Sequence, residues 1–517
     1  MNPSKCRYLV CSLAIGGMFL AGLLMLLSWS PGIVHVAAAT GAGNLFVRPG
    51  GGGNCSQGSP CGLQAALSQA VDGDTLYLAQ GSYTGNGGAV ITVGKNITLY
   101  GGWDGTVATP VRRDPALYVT TLDGEGQRRV VYLDEGTAVT IDGFTITGGN
   151  ATGLHGGLFE GSEAGGGIYS LNASPIIRNN LITNNIASTE PDVRALGGGV
   201  YIMNSTTSAV VQHNRIVSNT AGIGIRQGDG GGLFIDSSGD VLYNTFLDNA
   251  ACWSCRYSSG GGAYVGWSTS EIVVAHNRFE SNQARTGGGA ALVWSTVQVR
   301  GNTIIGNTAS HDGAGLYTYY DKGSSIEANV IMSNTADRWG GGVGVYITVD
   351  PGPTQLVNNV IAHNQAAVSG GGLYGWSDWN ISAVALTHNT LASNGTAIGV
   401  GRNMTATLVN NSVVGHTVGI TVTDPDGNAY PDHTLFWGNA DDGIRGSSPV
   451  DSDPAFVDPA RGDYHLTPGS EGIDCGVNAG VARDIDHDLR PMGAGYDIGA
   501  DEQAAHTYLP VMVKIHS

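Results

Sequence analysis

The chain has 517 residues, 82 of them glycine, and its net charge is −18 with only 24 lysines and arginines. The glycines do not recur at every third position, which excludes a collagen triple helix, and 41% hydrophobic residues are too many for a disordered glycine-rich linker. Nucleic-acid phosphates are bound by clustered cations, so this acidic balance argues against nucleic acid as a partner.

The first segment has the order of a secretory signal. Lys5 and Arg7 precede an apolar run from Tyr8 to Leu27, and three alanines at 37–39 follow. This order predicts a signal peptide over residues 1–39 and therefore a secreted or cell-surface protein. The run is also long enough to remain as an uncleaved membrane anchor. We expect contact with a membrane only through that leader or through a surface anchor.

Two pairs of cysteines lie close together in the chain. Cys55 and Cys61 flank a loop of serine, glycine and proline, and Cys252 and Cys255 form Cys-Trp-Ser-Cys. In an oxidising compartment each pair predicts a local disulfide. A redox role for the second pair would need a βαβ context, and the surrounding sequence does not have one.

Two signatures then repeat in phase, and the first of them recurs with steps of 26 to 33 residues. The first is a glycine-rich triplet followed by an apolar or aromatic residue, which begins at Gly165, Gly197, Gly230, Gly260, Gly287, Gly313, Gly340 and Gly370. The second is a pair of asparagines five positions apart, first seen at Asn180/Asn185 and last seen complete at Asn389/Asn394. His416 replaces the second asparagine after Asn411.

Short β-branched runs separate these signatures, and helical periodicity is absent. A single short coil cannot bury its apolar face, so the repeats must stack. The pattern predicts an all-β fold, a right-handed single-stranded parallel β-helix, in which glycine and asparagine occupy left-handed corners. Stacked asparagine amides would bond from coil to coil as a ladder.

The Gly-Gly-Gly-Leu-Tyr and Ile/Phe-x-x-Asn elements resemble the repeats of polymorphic outer membrane proteins and of the pectate-lyase-like β-helix superfamily. The segment from Leu63 to Tyr83 is similar to the start of such proteins, which implies an N-terminal capping helix. Gly462-Asp463-Tyr464-His465-Leu466 resembles a choice-of-anchor closing region. The resulting division is a leader (1–39), an N-terminal cap with first coils (40–125), repeats (126–440), an acidic closing region (441–503) and an apolar tail (504–517).

Charged residues gather in the loops that precede five consecutive glycine triplets. These loops carry the candidate catalytic residues Arg226, Asp229, Arg285, His311, Asp312, Asp337 and Arg338. Coils rise about 4.8 Å each, so the residues would share one stripe roughly 20 Å long. Such a stripe would neutralise an acidic sugar and supply a general base. The alternative is a row of solvated surface ion pairs.

A second stripe is aromatic. Its members, which are candidate sugar-binding residues, are Tyr264, Trp267, Trp294, Tyr317, Tyr320, Tyr374 and Trp376. An exposed column of rings would hold a glycan along its length, whereas a buried column would pack against itself. In the closing region, Asp484, Asp486 and Asp488 have the spacing of the first three ligands of a calcium loop. Leu489 stands where such a loop needs glycine, so solvated acids are the alternative.

Two functions fit these patterns. The first is a secreted or cell-surface repeat protein that binds extracellular polysaccharide or mediates surface adhesion. The second is a pectate-lyase-like polysaccharide lyase or glycoside hydrolase that uses the charged stripe. The tripeptides typical of polygalacturonases do not occur in the chain, so the sequence leaves both functions open.

Overall fold

The computed structural model describes residues 42–205, 207–224, 226–268, 271–349 and 352–503. The predicted leader and apolar tail lie outside the described residues. Elsewhere the chain winds as a parallel β-helix, in which each coil pairs with the coil before it and the coil after it. The predicted all-β solenoid is therefore confirmed. Among the described residues, no helix combines the length and the apolar character needed to cross a membrane.

In the described residues, three long sheets run along the solenoid. Sheet 1 consists of Gly52–Ser56, Ser59–Cys61, Asn44–Val47, Thr75–Ala79, Thr98–Trp103, Thr140–Asp142, Ile176–Arg178, Ala209–Gln212, Gly239–Leu242, Ile272–Ala275, Val297–Arg300, Ser325–Glu327, Thr354–Val357, Ser382–Thr387, Met404–Val409 and Asn428–Asp432. Sheet 2 consists of Gly81–Tyr83, Thr120–Asp123, Thr145–Thr147, Leu181–Thr183, Arg215–Val217, Thr245–Leu247, Arg278–Glu280, Thr303–Ile305, Val330–Met332, Val360–Ala362, Thr390–Ala392, Ser412–Val414, Leu435–Trp437 and Val450–Asp451.

The third sheet completes the solenoid, and a shorter fourth sheet flanks it on the side of the glycine triplets. Sheet 3 consists of Ala89–Val93, Arg129–Leu133, Ile168–Leu171, Val200–Met203, Leu233–Asp236, Ala263–Gly266, Ala290–Val293, Leu316–Asp321, Val343–Thr348, Leu373–Trp376, Thr396–Val400, Val418–Val422 and Asp441–Gly443. Sheet 4 consists of Glu163–Ala164, Arg194–Leu196, Gln227–Asp229, Tyr257–Ser259, Gln283–Thr286, Thr308–Asp312, Thr335–Ala336 and Gln365–Ala366. Ile186–Ser188 and Thr220–Gly222 form a separate pair.

Side chains that point inward from sheets 1, 2 and 3 form one continuous apolar core. In sheet 2, for example, Ile216, Phe246 and Phe279 occupy the same position on successive coils and are fully buried. Each coil therefore buries its neighbour's apolar edge, which a single coil cannot do for itself.

An asparagine ladder runs along each end of the sheet 2 strands. Nδ2 of Asn302 donates to Oδ1 of Asn329 on the next coil at 2.9 Å and to the carbonyl oxygen of Val274 on the previous coil at 2.8 Å. The same bonds recur along the repeats, which confirms the predicted ladder. His416 takes one position within the second ladder: its Nδ1 accepts a hydrogen bond from the backbone N–H of Asn394 at 3.0 Å, and its own backbone N–H donates to Oδ1 of Asn439 on the next coil at 2.9 Å.

The corners show where glycine is required. The first glycine of every triplet has a left-handed backbone, with φ between 61° and 71°. A Cβ at Gly260 would lie 2.3 Å from the carbonyl oxygen of Ala263. The left-handed prediction is wrong for the ladder asparagines, because the residue before each of them, such as His213 or Tyr243, has the positive φ. The ladder positions need an amide that bonds in both directions, and this selects asparagine.

The N-terminal end begins with an antiparallel hairpin, which the disulfide between Cys55 and Cys61 closes. The predicted helix follows at Leu63–Gln69, and its residues Leu63 and Ala66 belong to the apolar core of the first coils. The apolar side of this short helix therefore covers the N-terminal end of the core, where no preceding coil lies.

The closing region folds back along the side of the solenoid. Strands Phe456–Asp458 and Asp463–Leu466 pair antiparallel around a 3-10 turn at Pro459–Arg461. Tyr464 and Ala500 pack against the outer face of sheet 2. The region is anchored by a fully buried ion pair, in which Nη1 of Arg490 lies 2.7 Å from Oε2 of Glu502. The solenoid itself continues past residue 440 into the last strands of sheets 2 and 3.

Candidate functional site

A groove lies in the corner between sheet 4 and the outer face of sheet 3, with a volume of about 580 Å³. Arg194 lines the groove near one end, and Trp376 lines it near the other. Strand pairing places these two residues six coils apart, which is about 29 Å at a rise of about 4.8 Å per coil. The groove is therefore long and open rather than a closed pocket.

Five of the seven predicted catalytic residues line this groove: Asp229, Arg285, His311, Asp312 and Arg338. The other two, Arg226 and Asp337, are exposed and do not line it. Arg226 instead donates a hydrogen bond to the carbonyl oxygen of Asp192 at 3.2 Å.

Two further arginines belong to the groove. Arg256 stands in the charged loop before the triplet at Gly260, whereas Arg194, two coils before Arg256, was not predicted. Its position shortly before the triplet at Gly197 is the signal that would have found it. The guanidinium of Arg194 lies over the ring of Phe159 at 4.0 Å, so the loop that carries this phenylalanine forms one end of the groove.

Asp229 is a buried carboxyl group in the wall of the groove. Nε2 of Gln227 donates to it at 2.6 Å, and the backbone N–H of Ser259 donates at 2.9 Å. Burial raises the pKa of Asp229 to about 7, although both hydrogen bonds and the charge of Arg194 act in the opposite direction. The side chain is consequently part neutral and part ionised at neutral pH.

His311, Asp312 and Arg338 form a second polar cluster. Nδ1 of His311 lies 2.5 Å from Oδ2 of Asp312, and Nη1 of Arg338 contacts Nε2 of His311. A guanidinium only donates, so Nε2 accepts and Nδ1 carries the proton that is donated to Asp312. Oδ1 of Asp312 is buried, and no described group hydrogen-bonds it, although Nε of Arg338 is 3.7 Å away.

The spacing of the two buried carboxyl groups limits the chemistry. Asp229 and Asp312 occupy the same position of sheet 4 and are three coils apart, a separation of about 14 Å. The carboxyl pairs of glycoside hydrolases lie about 5 to 9.5 Å apart. Asp229 and Asp312 therefore do not form such a pair.

The predicted aromatic stripe divides into three rows. The first row points outward from sheet 3, and its rings at positions 132, 169, 201, 234 and 264 stack with centroids 4.6 to 5.5 Å apart. Tyr264, Tyr317 and Tyr374 belong to this row and are buried. Since the stacked rings use their faces on each other, only ring edges and hydroxyls remain available to the groove.

The second row lies two residues further along the same strands and contains Tyr319, Tyr346 and Trp376, which line the groove. Tyr319 and Tyr346 were missed by the sequence analysis. The ring centroids are 5.4 Å apart between Tyr319 and Tyr346 and 4.9 Å apart between Tyr346 and Trp376. The hydroxyl of Tyr346 donates to Oδ2 of Asp378 at 2.8 Å, so this end of the groove is both aromatic and acidic.

The third row contains Trp267, Trp294 and Tyr320, which have left-handed backbones where their strands turn. Trp294 stacks on both neighbours, with centroid distances of 5.6 Å to Trp267 and 4.1 Å to Tyr320. Of the three, Trp267 lines the groove, and its indole N–H donates to the hydroxyl of Tyr264 at 2.9 Å.

The second predicted disulfide borders the groove. The sulfurs of Cys252 and Cys255 are 1.97 Å apart, and those of Cys55 and Cys61 are 2.07 Å apart. Cys255 directly precedes Arg256 and Tyr257, both of which line the groove. The covalent loop thereby restrains the backbone from which these two side chains extend.

The predicted calcium ligands do not converge. Asp484 is buried and accepts the backbone N–H groups of Asp486, Asp488 and Glu502. Asp486 pairs with Nε2 of His465 at 2.7 Å. Burial lowers the pKa of His465, but its hydrogen bonds to Asp486 and a second aspartate outweigh burial and raise the pKa to about 9. This protonated histidine and the backbone bonds do not fit a calcium-binding loop.

A family model described as a right-handed β-helix region matches residues 125–308, 224–381 and 297–436. Together these matches cover most of the solenoid. The chain belongs to the right-handed β-helix family. This family assignment agrees with the parallel coils described above and confirms the predicted right-handed β-helix fold.

Solved structures similar to this β-helix protein include pectate lyase Pel9A, with 14% identity, a TM-score of 0.32, and coverage of 89% of this chain and 96% of that one. The complex of XylC with xylose has 11% identity and a TM-score of 0.39, with coverage of 80% of this chain and 87% of that one. The PL6 family alginate lyase AlyGC has 16% identity and a TM-score of 0.44, with coverage of 79% of this chain and 53% of that one. No curated protein sequence matches the chain significantly.

Proposed function

We propose that this protein binds an acidic polysaccharide in the groove between sheets 3 and 4. The observation that carries this proposal is the set of four arginines, at positions 194, 256, 285 and 338, that line one groove of a chain with a net charge of −18. On such an acidic protein, a concentrated group of guanidinium side chains indicates an anionic ligand.

The chemistry of the arginines suits carboxylate or sulfate groups on sugars. A guanidinium presents a planar fork of donors that binds a carboxylate through two parallel hydrogen bonds. The four arginines lie on different coils, so they would meet successive charged groups along a chain. A length of about 29 Å favours a polymer over a single small molecule.

The location of the protein follows from the same proposal. Polysaccharides with uronate or sulfate groups occur outside cells, and the leader predicts export. The two disulfides support an oxidising compartment, because such bonds seldom persist in the cytoplasm. A secreted or surface-attached protein is thus consistent with both the ligand and the cysteines.

Calorimetry with the purified protein tests the binding function. We expect an acidic polysaccharide such as polygalacturonate or alginate to bind, and a neutral polymer such as xylan to bind much more weakly. The affinity for the acidic polymer should fall as salt rises from about 50 to about 300 mM, because salt screens the guanidinium charges. Equal affinity for the neutral polymer, or no binding of any acidic polymer, would overturn the proposal.

A second candidate function is cleavage of the bound chain by elimination. The observation that favours it is the contact of His311 with both Asp312 and Arg338 inside the groove. A substrate carboxylate that attracts Arg338 would free Nε2 of His311 to act as a base. Nε2 would take the proton from the carbon next to the carboxylate, and the electrons of that C–H bond would form a carbon–carbon double bond. The glycosidic oxygen would then leave and take a proton from water.

Ultraviolet absorbance distinguishes cleavage from binding. An elimination product carries a conjugated double bond, so absorbance would rise during incubation with a uronate polymer. His311→Ala should abolish that rise while the protein still binds the polymer, whereas Asp337→Ala, outside the groove, should leave it unchanged. A flat trace with the wild-type protein and a bound polymer would contradict cleavage and leave binding as the function.

A further inference from the structure

Acidic groups interrupt the row of arginines along the groove. In the order of the coils, the acidic and guanidinium groups that line the groove are Arg194, Asp229, Arg256, Arg285, Asp312, Arg338 and Asp378. Each of the two buried aspartates, Asp229 and Asp312, thus lies on a coil between two coils that carry arginines. The arginines that flank such a coil are two coils apart, which is about 9.6 Å.

Asp378 is the last member of this series, and its side chain is exposed. Its Oδ2 accepts a hydrogen bond from the hydroxyl of Tyr346 at 2.8 Å, and Tyr346 stacks on Trp376 with ring centroids 4.9 Å apart. In the part of the chain that the structure describes, no cationic side chain forms an ion pair with Asp378. A negative charge therefore stands beside aromatic rings at this end of the groove.

This series does not match a polymer that carries a carboxylate on every sugar. Successive sugars of an extended polysaccharide are spaced about as far apart as successive coils, at about 4.8 Å. Such a polymer would bring a negative charge to the coils of Asp229, Asp312 and Asp378 as well as to the arginines. Like charges at this range repel, and the repulsion is stronger where protein replaces water.

We propose that the bound polysaccharide contains both charged and uncharged sugars, and that an uncharged sugar lies against Asp378. Hydroxyl groups of that sugar would donate to the carboxylate, and its C–H groups would pack beside the ring of Tyr346. Further uncharged sugars would lie at the coils of Asp229 and Asp312, between charged sugars that meet the arginines. This inference rests on the proposed binding of an acidic polysaccharide and narrows its ligand to partly charged polymers.

Oligosaccharides with one backbone and different charge test the inference on the wild-type protein. Galacturonate octasaccharides are compared without methyl esters, with about half of their carboxylates esterified and with all of them esterified, because the ester removes charge and keeps the backbone. In calorimetry at one pH and one salt concentration, the partly esterified form should bind at least about threefold more tightly than the unesterified form. The fully esterified form should bind most weakly.

The other outcomes separate this inference from the proposed function. If the unesterified octasaccharide binds as tightly as the partly esterified one, or more tightly, the inference is overturned and binding of an acidic polysaccharide stands. Tightest binding of the fully esterified form, or no binding of any form, would overturn the proposed function together with the inference.

The variant Asp378→Asn tests the position of the uncharged sugar. Asparagine keeps an oxygen that accepts the hydroxyl of Tyr346 and removes the negative charge. We expect the unesterified octasaccharide to bind this variant about three- to tenfold more tightly than the wild type, with little change for the partly esterified form. The control Asp337→Asn, outside the groove, should change neither affinity. Equal affinities of the wild type and Asp378→Asn for the unesterified form would rule out the position at Asp378.

Discussion

Arg338 and His311 lie on adjacent coils, and Nη1 of Arg338 donates a hydrogen bond to Nε2 of His311. The same guanidinium lies over the ring of Trp339 at 3.7 Å. Trp339 in turn stacks on Tyr374, so this arginine connects the polar wall of the groove to its aromatic wall. A ligand carboxylate that binds Arg338 would compete directly with His311 for its donors.

The arginines of the groove should dominate affinity. Arg285→Ala should weaken binding of an acidic polysaccharide about 10- to 100-fold, because a hydrogen bond between charged groups contributes about 1.5 to 3 kcal/mol. Arg226→Ala is the matched control, since this exposed arginine does not line the groove. Titration calorimetry of both variants at one salt concentration provides the measurement. Equal losses of affinity in both variants would indicate general electrostatic attraction rather than specific binding in the groove.

Binding should depend on pH through Asp229. Its pKa of about 7 means that the carboxyl group is mostly neutral at pH 6 and mostly ionised at pH 8. The ionised form repels a polyanion, so affinity should fall several-fold as pH rises through 7, by simple Coulomb repulsion.

Asp229→Asn should make the affinity almost independent of pH between 6 and 8. Asn keeps the shape of the side chain but carries no charge. Asp337→Asn, outside the groove, should preserve the wild-type dependence. Identical pH profiles for wild type and Asp229→Asn would contradict this role of Asp229.

The histidine within the second ladder should make folding sensitive to acid. Burial lowers the pKa of His416 to about 4, while the unfolded chain has the ordinary value of about 6.5. The unfolded state therefore binds the proton first, and stability present above pH 6.5 is lost as pH falls toward 4. His416 accounts for a loss of at most about 3 kcal/mol in the free energy of unfolding.

His416→Asn should remove that part of the acid sensitivity. Asparagine occupies the equivalent position on the preceding coils, so its amide should restore the bond to Asn394. Urea unfolding at pH 7 and pH 4.5 gives the two free energies to compare. If the free energy of unfolding of the variant differed between pH 7 and pH 4.5 by as much as that of the wild type, the assignment to His416 would be contradicted.

Much of the fold was predictable because its rules are local. A left-handed corner requires glycine at Gly260, and a bidirectional amide bond requires asparagine at Asn302, so both leave a mark in every repeat. The groove was partly predictable for the same reason, since a fixed distance from the triplets places Asp229 and Asp312 in one column.

The sequence analysis predicted one aromatic stripe and did not show which residues share a row. Alternation along a strand would assign residues by period two, but the left-handed residue at the strand end shifts the phase. Tyr320, seven residues after Gly313, therefore turns away from the row of Tyr319, whereas Trp376, six residues after Gly370, belongs with Tyr319. The hydroxyls of buried tyrosines such as Tyr264 are likewise positioned by tertiary packing rather than by local sequence.

Hydroxyl-radical footprinting with an acidic polysaccharide tests the central claim most directly. Tyr257 and Trp267 line the groove and are 59% and 48% exposed, while Tyr243 and Trp437 lie elsewhere and are 51% and 46% exposed. Binding in the groove predicts that polysaccharide protects Tyr257 and Trp267 from oxidation and leaves Tyr243 and Trp437 as reactive as before. Protection of Tyr243 or Trp437, with Tyr257 and Trp267 unchanged, would contradict it.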